Sequence, residues 1–437
     1  VGDLNVLTTY GNAAQEIARL ESLAVQAHRA GRIAETESLW QRILAIDPHH
    51  VRTLTAMGQH AFRRQDFQAA LKAFKTVTVS SGTDPQDWIN LALAYQQLRD
   101  EANESDAIEQ ALKRDPMHLL ALLLKGSLHE RQGRRHDAAR AFGAASTVSP
   151  PLEHLSPELR PSIEHARRFK AEYDRQCAEF LDAALAPAYG EHTSGELKRF
   201  RDSVDIMIGR KRRFDSQPHG QFFPGLPAIE RFDRADFPWL DAFEAATDVI
   251  RDEFLDVLKS ETGFTPYLEY PDGVPLNQWE ELNRSLRWSA FHLMKAGERV
   301  EANASRCPQT MALLATAPQP VQSGRTPVAL FSLLKPKTRI PPHTGISNVR
   351  LLTHLPLIIP EGCGFRVGNV TREWIPGEAF VFDDTIEHEA WNNSDQLRVV
   401  MIFDIWHPML SPAERAMVGA LAKALNEFNG EATGYDA

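Results

Sequence analysis

Two hydrophobic rhythms divide the chain. As far as about residue 186, apolar residues recur every three or four positions, the period of a helix with one buried face. Trp88, Leu91, Ala92 and Tyr95, followed by Ile108, Ala111 and Leu112, mark one pair of helices. Leu124, Gly126 and His129, followed by Ala138, Phe142 and Ala145, mark another. The pairs repeat with a 34-residue period: Pro48, Pro116 and Pro150 share one register, and Gly82 stands where a fourth proline would fall. Gly31 and Gly133 share a second register, Gly58 and Gly126 a third. From about residue 287 the rhythm changes to short apolar runs parted by Pro, Gly, Asn and Asp, the pattern of strands and turns.

The small residues in the first half have a physical purpose. Ala or Gly at a helix crossing lets two backbones approach, and a bulky ring from the next turn fills the notch. Gly after the first helix permits a left-handed turn, and Pro after the second stops it. With this register and small/large pattern, residues 17–152 resemble the tetratricopeptide repeat in four units, which implies an all-α solenoid over residues 1–152. Such stacks present a surface for extended peptides or for self-association. The proline-rich stretch from Pro150 to Pro161 closes the repeats. The charged run that follows carries Phe169, Tyr173, Cys177 and Phe180 at helical spacing, which predicts a capping and linking segment over 153–186.

The texture changes again beyond Pro187, and residues 187–437 read as a second domain. One helix is evident over 239–258, with Phe243, Ala246, Val249, Ile250, Phe254 and Leu258 along one side. Strands are predicted at 288–293, 327–334, 349–358, 364–367, 379–382 and 397–406. Short, evenly spaced strands of this kind predict a sandwich or a jelly-roll barrel.

Composition narrows the function classes. Of the 437 residues, 43% are hydrophobic and 24% charged, as in ordinary soluble domains, and the length calls for more than one core. A net charge of −10 argues against a nucleic-acid partner. No apolar run reaches the ~18 residues of a membrane span. The start of the chain lacks a signal-peptide pattern, although the initial Val1 is consistent with a removed leader. Cys177, Cys307 and Cys363 show neither pairing nor metal spacing. The expectation is a reduced, cytoplasmic setting.

The candidate chemistry lies near the C-terminus. His343 sits in Pro-Pro-His-Thr-Gly just before a predicted strand, and His388 just after another. Arg398 opens the apolar strand that carries residues 399–403. Neutral imidazoles suit Fe(II), and open coordination positions suit a chelating 2-oxo acid and O2. A buried arginine with a hydroxyl neighbour suits the far carboxylate of that acid.

The segments Phe331-Ser332, Pro342-His343-Thr344-Gly345, His354-Leu355-Pro356-Leu357, Phe382-Asp383-Asp384, Glu387-His388-Glu389 and Trp406-His407-Pro408 closely resemble the aspartyl/asparaginyl β-hydroxylase family over residues 190–415. The resemblance implies a double-stranded β-helix of cupin-like, jelly-roll type with flanking helices. It also implies an Fe(II)- and 2-oxoglutarate-dependent dioxygenase that hydroxylates the β-carbon of Asp or Asn in a peptide or protein. His343 and His388 would bind Fe(II). Ser332 and Arg398 would hold the 5-carboxylate of 2-oxoglutarate, with His354 near its 1-carboxylate. Trp288 would line the cosubstrate pocket and Arg350 the substrate side, and the peptide would dock on the repeats.

Gly345 stands two residues after His343, where most 2-oxoglutarate oxygenases carry a carboxylate. The resemblance implies iron held by two histidines, with Asp383 or Asp384 orienting a water in the vacant position. Leu352 replaces a second arginine of the animal members, and Cys307 lacks the partner that forms their disulfide. His407 reads as structural. Two competing readings are a repeat-based adaptor with an inactive barrel and a zinc hydrolase; the latter lacks an evident third ligand and leaves Arg398 unexplained.

Overall fold

The computed structural model describes residues 2–430 apart from 82, 194 and 261, with side chains described from residue 13. Gly82, placed above in the repeat register, therefore lies outside the described residues. The chain falls into two compact units, Val1–Arg199 and Phe200–Ala437.

The first unit is helical throughout. Eight helices form four antiparallel pairs: α1 (Gly2–Arg29) with α2 (Ile33–Ile46), α3 (Val51–Arg63) with α4 (Phe67–Ser80), α5 (Pro85–Gln97) with α6 (Glu101–Arg114), and α7 (Leu119–Arg131) with α8 (Arg135–Val148). The small/large pattern is literal. A Cβ added to Gly58 or Gly126 would run into the ring of Phe74 or Phe142, so each glycine is the notch its aromatic fills. Gly31 and Gly133 turn the chain between paired helices with φ of 72° and 70°. Glu104 breaks the pattern, because it occupies the register of Thr36, Ala70 and Ala138 and is 1% exposed. Arg131 donates to both its carboxylate oxygens at 2.6–2.7 Å and Gln96 to one at 3.3 Å. A long helix, α9 (Arg160–Gly190), packs Ile163, Ala166 and Phe169 on the last pair and runs on through Pro187.

The second unit has more helix than the sequence suggests. It opens with α10 (Lys198–Met207), which begins at the boundary. The single helix expected over 239–258 breaks at Ala246 into α11 (Leu240–Ala245) and α12 (Thr247–Leu258). Three further helices were not expected: α13 (Glu301–Ala304), α14 (Pro308–Leu314) and α15 (Pro412–Asn429).

The strands are β1 (Thr265–Pro266), β2 (Trp288–Lys295), β3 (Glu298–Arg299), β4 (Ala329–Leu334), β5 (Thr338–His343), β6 (Arg350–Ile358), β7 (Cys363–Val367), β8 (Val370–Arg372), β9 (Phe380–Phe382), β10 (His388–Asn392) and β11 (Arg398–Trp406). All six predicted runs are strands, whereas β1, β3, β5, β8 and β10 were not foreseen. His343 ends β5 and His388 begins β10, so both histidines lie within strands rather than beside them.

The jelly-roll, double-stranded β-helix expectation is overturned by the sheet topology. The strands form a seven-stranded antiparallel sheet, β1-β2-β4-β11-β6-β9 with β3 on β2, and a separate four-stranded sheet, β5-β10-β7-β8. Among the described residues no ladder joins the two, and neither closes into a barrel. The edges explain this. β1 and β3 have two residues and β8 and β9 three, while β5 carries Pro341 and Pro342, which offer no N–H to a further strand.

The two sheets nevertheless share a core. Leu330, Leu334, Val400 and Ile402 of the first meet Ile340, Phe365, Val367 and Ala390 of the second. Alternation along β11 then assigns every side chain a layer. Val399, Met401, Phe403 and Ile405 join Phe243, Ile250 and Phe254 of the covering helices. Arg398, Val400, Ile402 and Asp404 have the opposite parity, that of the layer between the sheets, and this layer holds the candidate site.

Candidate active site

His343 and His388 are direct cross-strand partners in the β5–β10 ladder, and their ring centroids lie 4.1 Å apart. Each ring is held the same way. Nδ1 of His343 lies 2.8 Å from the Pro341 carbonyl oxygen, and Nδ1 of His388 lies 3.0 Å from that of Ile386. A carbonyl only accepts, so each Nδ1 carries the proton and each Nε2 keeps a lone pair. Burial pushes His343 down to about 3 and His388 to about 4, which leaves both imidazoles neutral near pH 7. Two neutral imidazoles with free Nε2 lone pairs fit a borderline divalent metal.

The loops around this pair are strapped from outside. Gln217 N–H donates to the Thr385 carbonyl, His219 N–H to that of Gly345 and Gly220 N–H to that of Ile346. Asp383 is occupied in its own turn, where it accepts from the N–H and hydroxyl of Thr385 at 2.9 and 2.6 Å. Asp384 points elsewhere. Its carboxyl fills the space a side chain at Gly345 would need, and it pairs with Arg350 at 3.1 Å. Asp384 thus puts a carboxyl in the space beside Gly345 and within electrostatic reach of His343.

The expectation of an iron-binding centre needs correction at this point. Among the described residues no group of three or more His, Cys, Asp or Glu is arranged to hold a metal ion. The physical reason is visible: Gly345 offers no ligand, and Asp384 is turned to Arg350. What the fold supplies is a histidine pair.

Arg398 lies in the same layer, 2% exposed. Its guanidinium donates to Ser332 Oγ at 3.4 Å and stacks 4.7 Å from the Trp374 ring centroid, and its Nε has no hydrogen-bond partner. No carboxylate faces it among the described residues, and burial depresses it to about 10. A buried cation without an anion is costly, so this arrangement is built for an anionic ligand. Ser332 also accepts from the Trp288 indole N–H at 3.2 Å.

His354 lies within electrostatic reach of both Arg398 and His388. Burial holds it well below its ordinary value. Phe365, Trp374, Phe380 and Phe382 surround its ring, and its Nδ1 is unpartnered. Arg350 is buried on the same face of β6, between Asp384 and the fully buried Asp404, whose carboxyl is pushed up to about 7 by burial.

Every residue singled out from sequence therefore gathers in or beside one layer. Four neighbours were missed. Trp279 packs edge-on against His343 at 5.1 Å, and Tyr267 lies flat on Trp288 at 3.8 Å. Trp374 carries the Arg398 stack, and Gln278 donates to the Pro342 carbonyl. Each sits in a loop or at an edge where no hydrophobic period marks it.

The second unit is similar to known proteins over the region that carries this site. Residues 244–408 match the family model described as Aspartyl/Asparaginyl beta-hydroxylase. The human aspartyl/asparaginyl beta-hydroxylase is 36% identical over 174 residues, 40% of this chain and 22% of that protein. The ornithine lipid ester-linked acyl 2-hydroxylase of Rhizobium tropici is 35% identical over 192 residues, 43% of this chain and 64% of that enzyme. Human aspartate beta-hydroxylase domain-containing protein 2 is 32% identical over 205 residues, 46% and 53% of the two chains. The chain thus spans less than two thirds of each of these relatives. It is distantly related to a hydroxylase superfamily through its second unit, and that kinship supports a hydroxylase-like role.

Proposed function

We propose that the second unit is a 2-oxoglutarate-dependent dioxygenase that uses Fe(II) held by His343 and His388 alone. The observation that carries this is Arg398: a fully buried guanidinium without a carboxylate partner among the described residues, in the same layer as two neutral, similarly anchored histidines. When bound, iron and 2-oxoglutarate supply the oxidising power to turn a substrate C–H into C–OH, with O2 consumed and succinate and CO2 released.

The chain's own residues divide the remaining tasks. Arg398 and Ser332 hold the far carboxylate of the 2-oxo acid by charge-assisted hydrogen bonds. His354 offers a neutral, dry imidazole near the other end. Trp288 forms one wall and, through its indole N–H, fixes the Ser332 hydroxyl. Asp384 stands where it accepts hydrogen bonds from a water beside the histidine pair, while Arg350 keeps that carboxyl in place and faces the substrate side. The substrate is the β-carbon of an Asp or Asn residue in a peptide, a choice supported by the names of the related proteins. The helical repeats present that peptide.

Succinate formation from 2-oxoglutarate by anaerobically purified protein with added Fe(II) tests this reading. Wild type turns over and His343→Ala does not. Wild type that neither binds nor consumes 2-oxoglutarate sinks it in favour of a repeat-borne adaptor.

A further inference from the structure

Tyr267 follows the two-residue edge strand β1 and continues its ladder, donating its backbone N–H to the Trp288 carbonyl at 3.0 Å. That bond sets the two rings face to face, 3.8 Å apart and 9° from parallel. Trp288 is itself a span. Its ring packs against His343 at 6.3 Å, and its indole N–H reaches Ser332, the residue that touches Arg398. A ring laid flat on Trp288 therefore lies over the same stretch, from the histidine pair to the anion end.

The surroundings of the phenol agree with that placement. The charges of Arg350, Asp384 and Arg398 all act on it, and burial raises it above the ordinary tyrosine range, so it stays a neutral O–H. Among the described residues no hydrogen bond holds that hydroxyl. Tyr267 is half-buried as a whole residue. A neutral donor fixed by stacking, within reach of the charges of this site, suits a pre-organised ligand contact.

We infer that Tyr267 is a binding residue for the 2-oxo acid, adding a phenolic O–H donor to those of Arg398 and Ser332. This rests on the reading given under Proposed function. The hydroxyl binds the cosubstrate, and the ring keeps Trp288, and through it Ser332, in position. Two roles in one side chain are separable, because phenylalanine keeps the stack and loses only the donor.

The test uses the full chain under anaerobic conditions, with 2-oxoglutarate titrated against intrinsic tryptophan fluorescence and, independently, by calorimetry. Tyr267→Phe is expected to weaken binding about tenfold or more, as for a lost hydrogen bond to a charged group, with an unchanged melting temperature. Tyr267→Leu is expected to weaken it further and to lower that temperature. Arg398→Ala serves as the reference for loss of the anion site. If wild type and Tyr267→Phe bind equally while Arg398→Ala does not bind, the inference falls and the cosubstrate reading stands. If wild type does not bind 2-oxoglutarate, both fall.

Discussion

The carboxyl group of Asp384 occupies the space that a side chain on Gly345 would fill. The two residues also share a backbone hydrogen bond, Gly345 N–H to the Asp384 carbonyl at 2.6 Å, which ties the end of β5 to the turn before β10. Supplying the usual carboxylate at 345 is therefore not a repair. Gly345→Ala should destabilise the second unit by about 1–3 kcal/mol through overpacking. Gly345→Asp should cost more, because it also sets two carboxylates together. Gly345→Ala should cost less in an Asp384→Ala background than in wild type, although Asp384→Ala itself orphans Arg350, and denaturant unfolding of the three variants checks the coupling. Additive effects would mean that the two side chains do not compete for this space.

Arg398 implies a conflict between function and stability. Among the described residues its buried guanidinium has one long hydrogen bond, to Ser332, and no carboxylate to offset its desolvation. Arg398→Met should leave thermal stability unchanged or raise it by about 1 kcal/mol, while 2-oxoglutarate affinity drops by about 100-fold. Thermal melts and a binding titration on the same samples read both. A large loss of stability would show that Arg398 serves the fold rather than a ligand.

The Glu104–Arg131 pair makes a different prediction in the repeats. Removing Arg131 strands a carboxylate that is 1% exposed, whereas Arg131 itself is 38% exposed. The usual cost of orphaning a buried charge, about 3–5 kcal/mol, is therefore discounted to about 2 kcal/mol for Arg131→Ala. Glu104→Ala should cost less, because it restores the small residue of the register and buries no charge. Urea denaturation followed by helical circular dichroism orders the two variants, and the reverse order would contradict the account.

Asp404 provides a pH dependence with a definite sign. Burial pushes its carboxyl up to about 7, against about 3.9 for an unfolded aspartate, so folding takes up a proton. The stabilisation it gives is fully present below about pH 4 and is lost as pH rises through 7. Asp404→Asn keeps an oxygen to accept the Val328 N–H, seen at 2.9 Å, and carries no titrating proton. The variant should gain on wild type between pH 4 and pH 8 by on the order of 1–3 kcal/mol, measured by unfolding across that range. A constant difference would place the titration elsewhere.

The parts of this molecule that were readable in advance are those whose causes are local or periodic. The repeats announce themselves because each glycine notch must recur with its aromatic filler, as Gly58 with Phe74 and Gly126 with Phe142. Arg398 stood out because a charge in an apolar strand needs a reason. Strand β5 was missed because Thr-Arg-Ile-Pro-Pro-His has one aliphatic side chain and two residues that donate no hydrogen bond. Strand β10, His-Glu-Ala-Trp-Asn, carries ion-paired Glu389 on its outer side, where Arg339 and Arg366 meet it, and so shows no apolar period. Helix α15 had a local signal in the reciprocal Ser411–Glu414 cap. The closed barrel failed because closure is decided by edge strands of two or three residues, too short to read. The Gly345–Asp384 contact was half legible: the absent side chain at 345 was evident in sequence, but what fills its space arises only from the fold.

The shared i−2 anchoring of the two histidines has a consequence for how this site can change. Each ring takes its tautomer from a carbonyl two residues earlier, Pro341 in β5 for His343 and Ile386 in the turn before β10 for His388, and not from a neighbouring side chain. Each is thus a self-contained three-residue cassette, and the cross-strand ladder sets the spacing of the pair. Side chains around the pair, such as Trp279, are consequently free to change without altering the tautomer of either histidine.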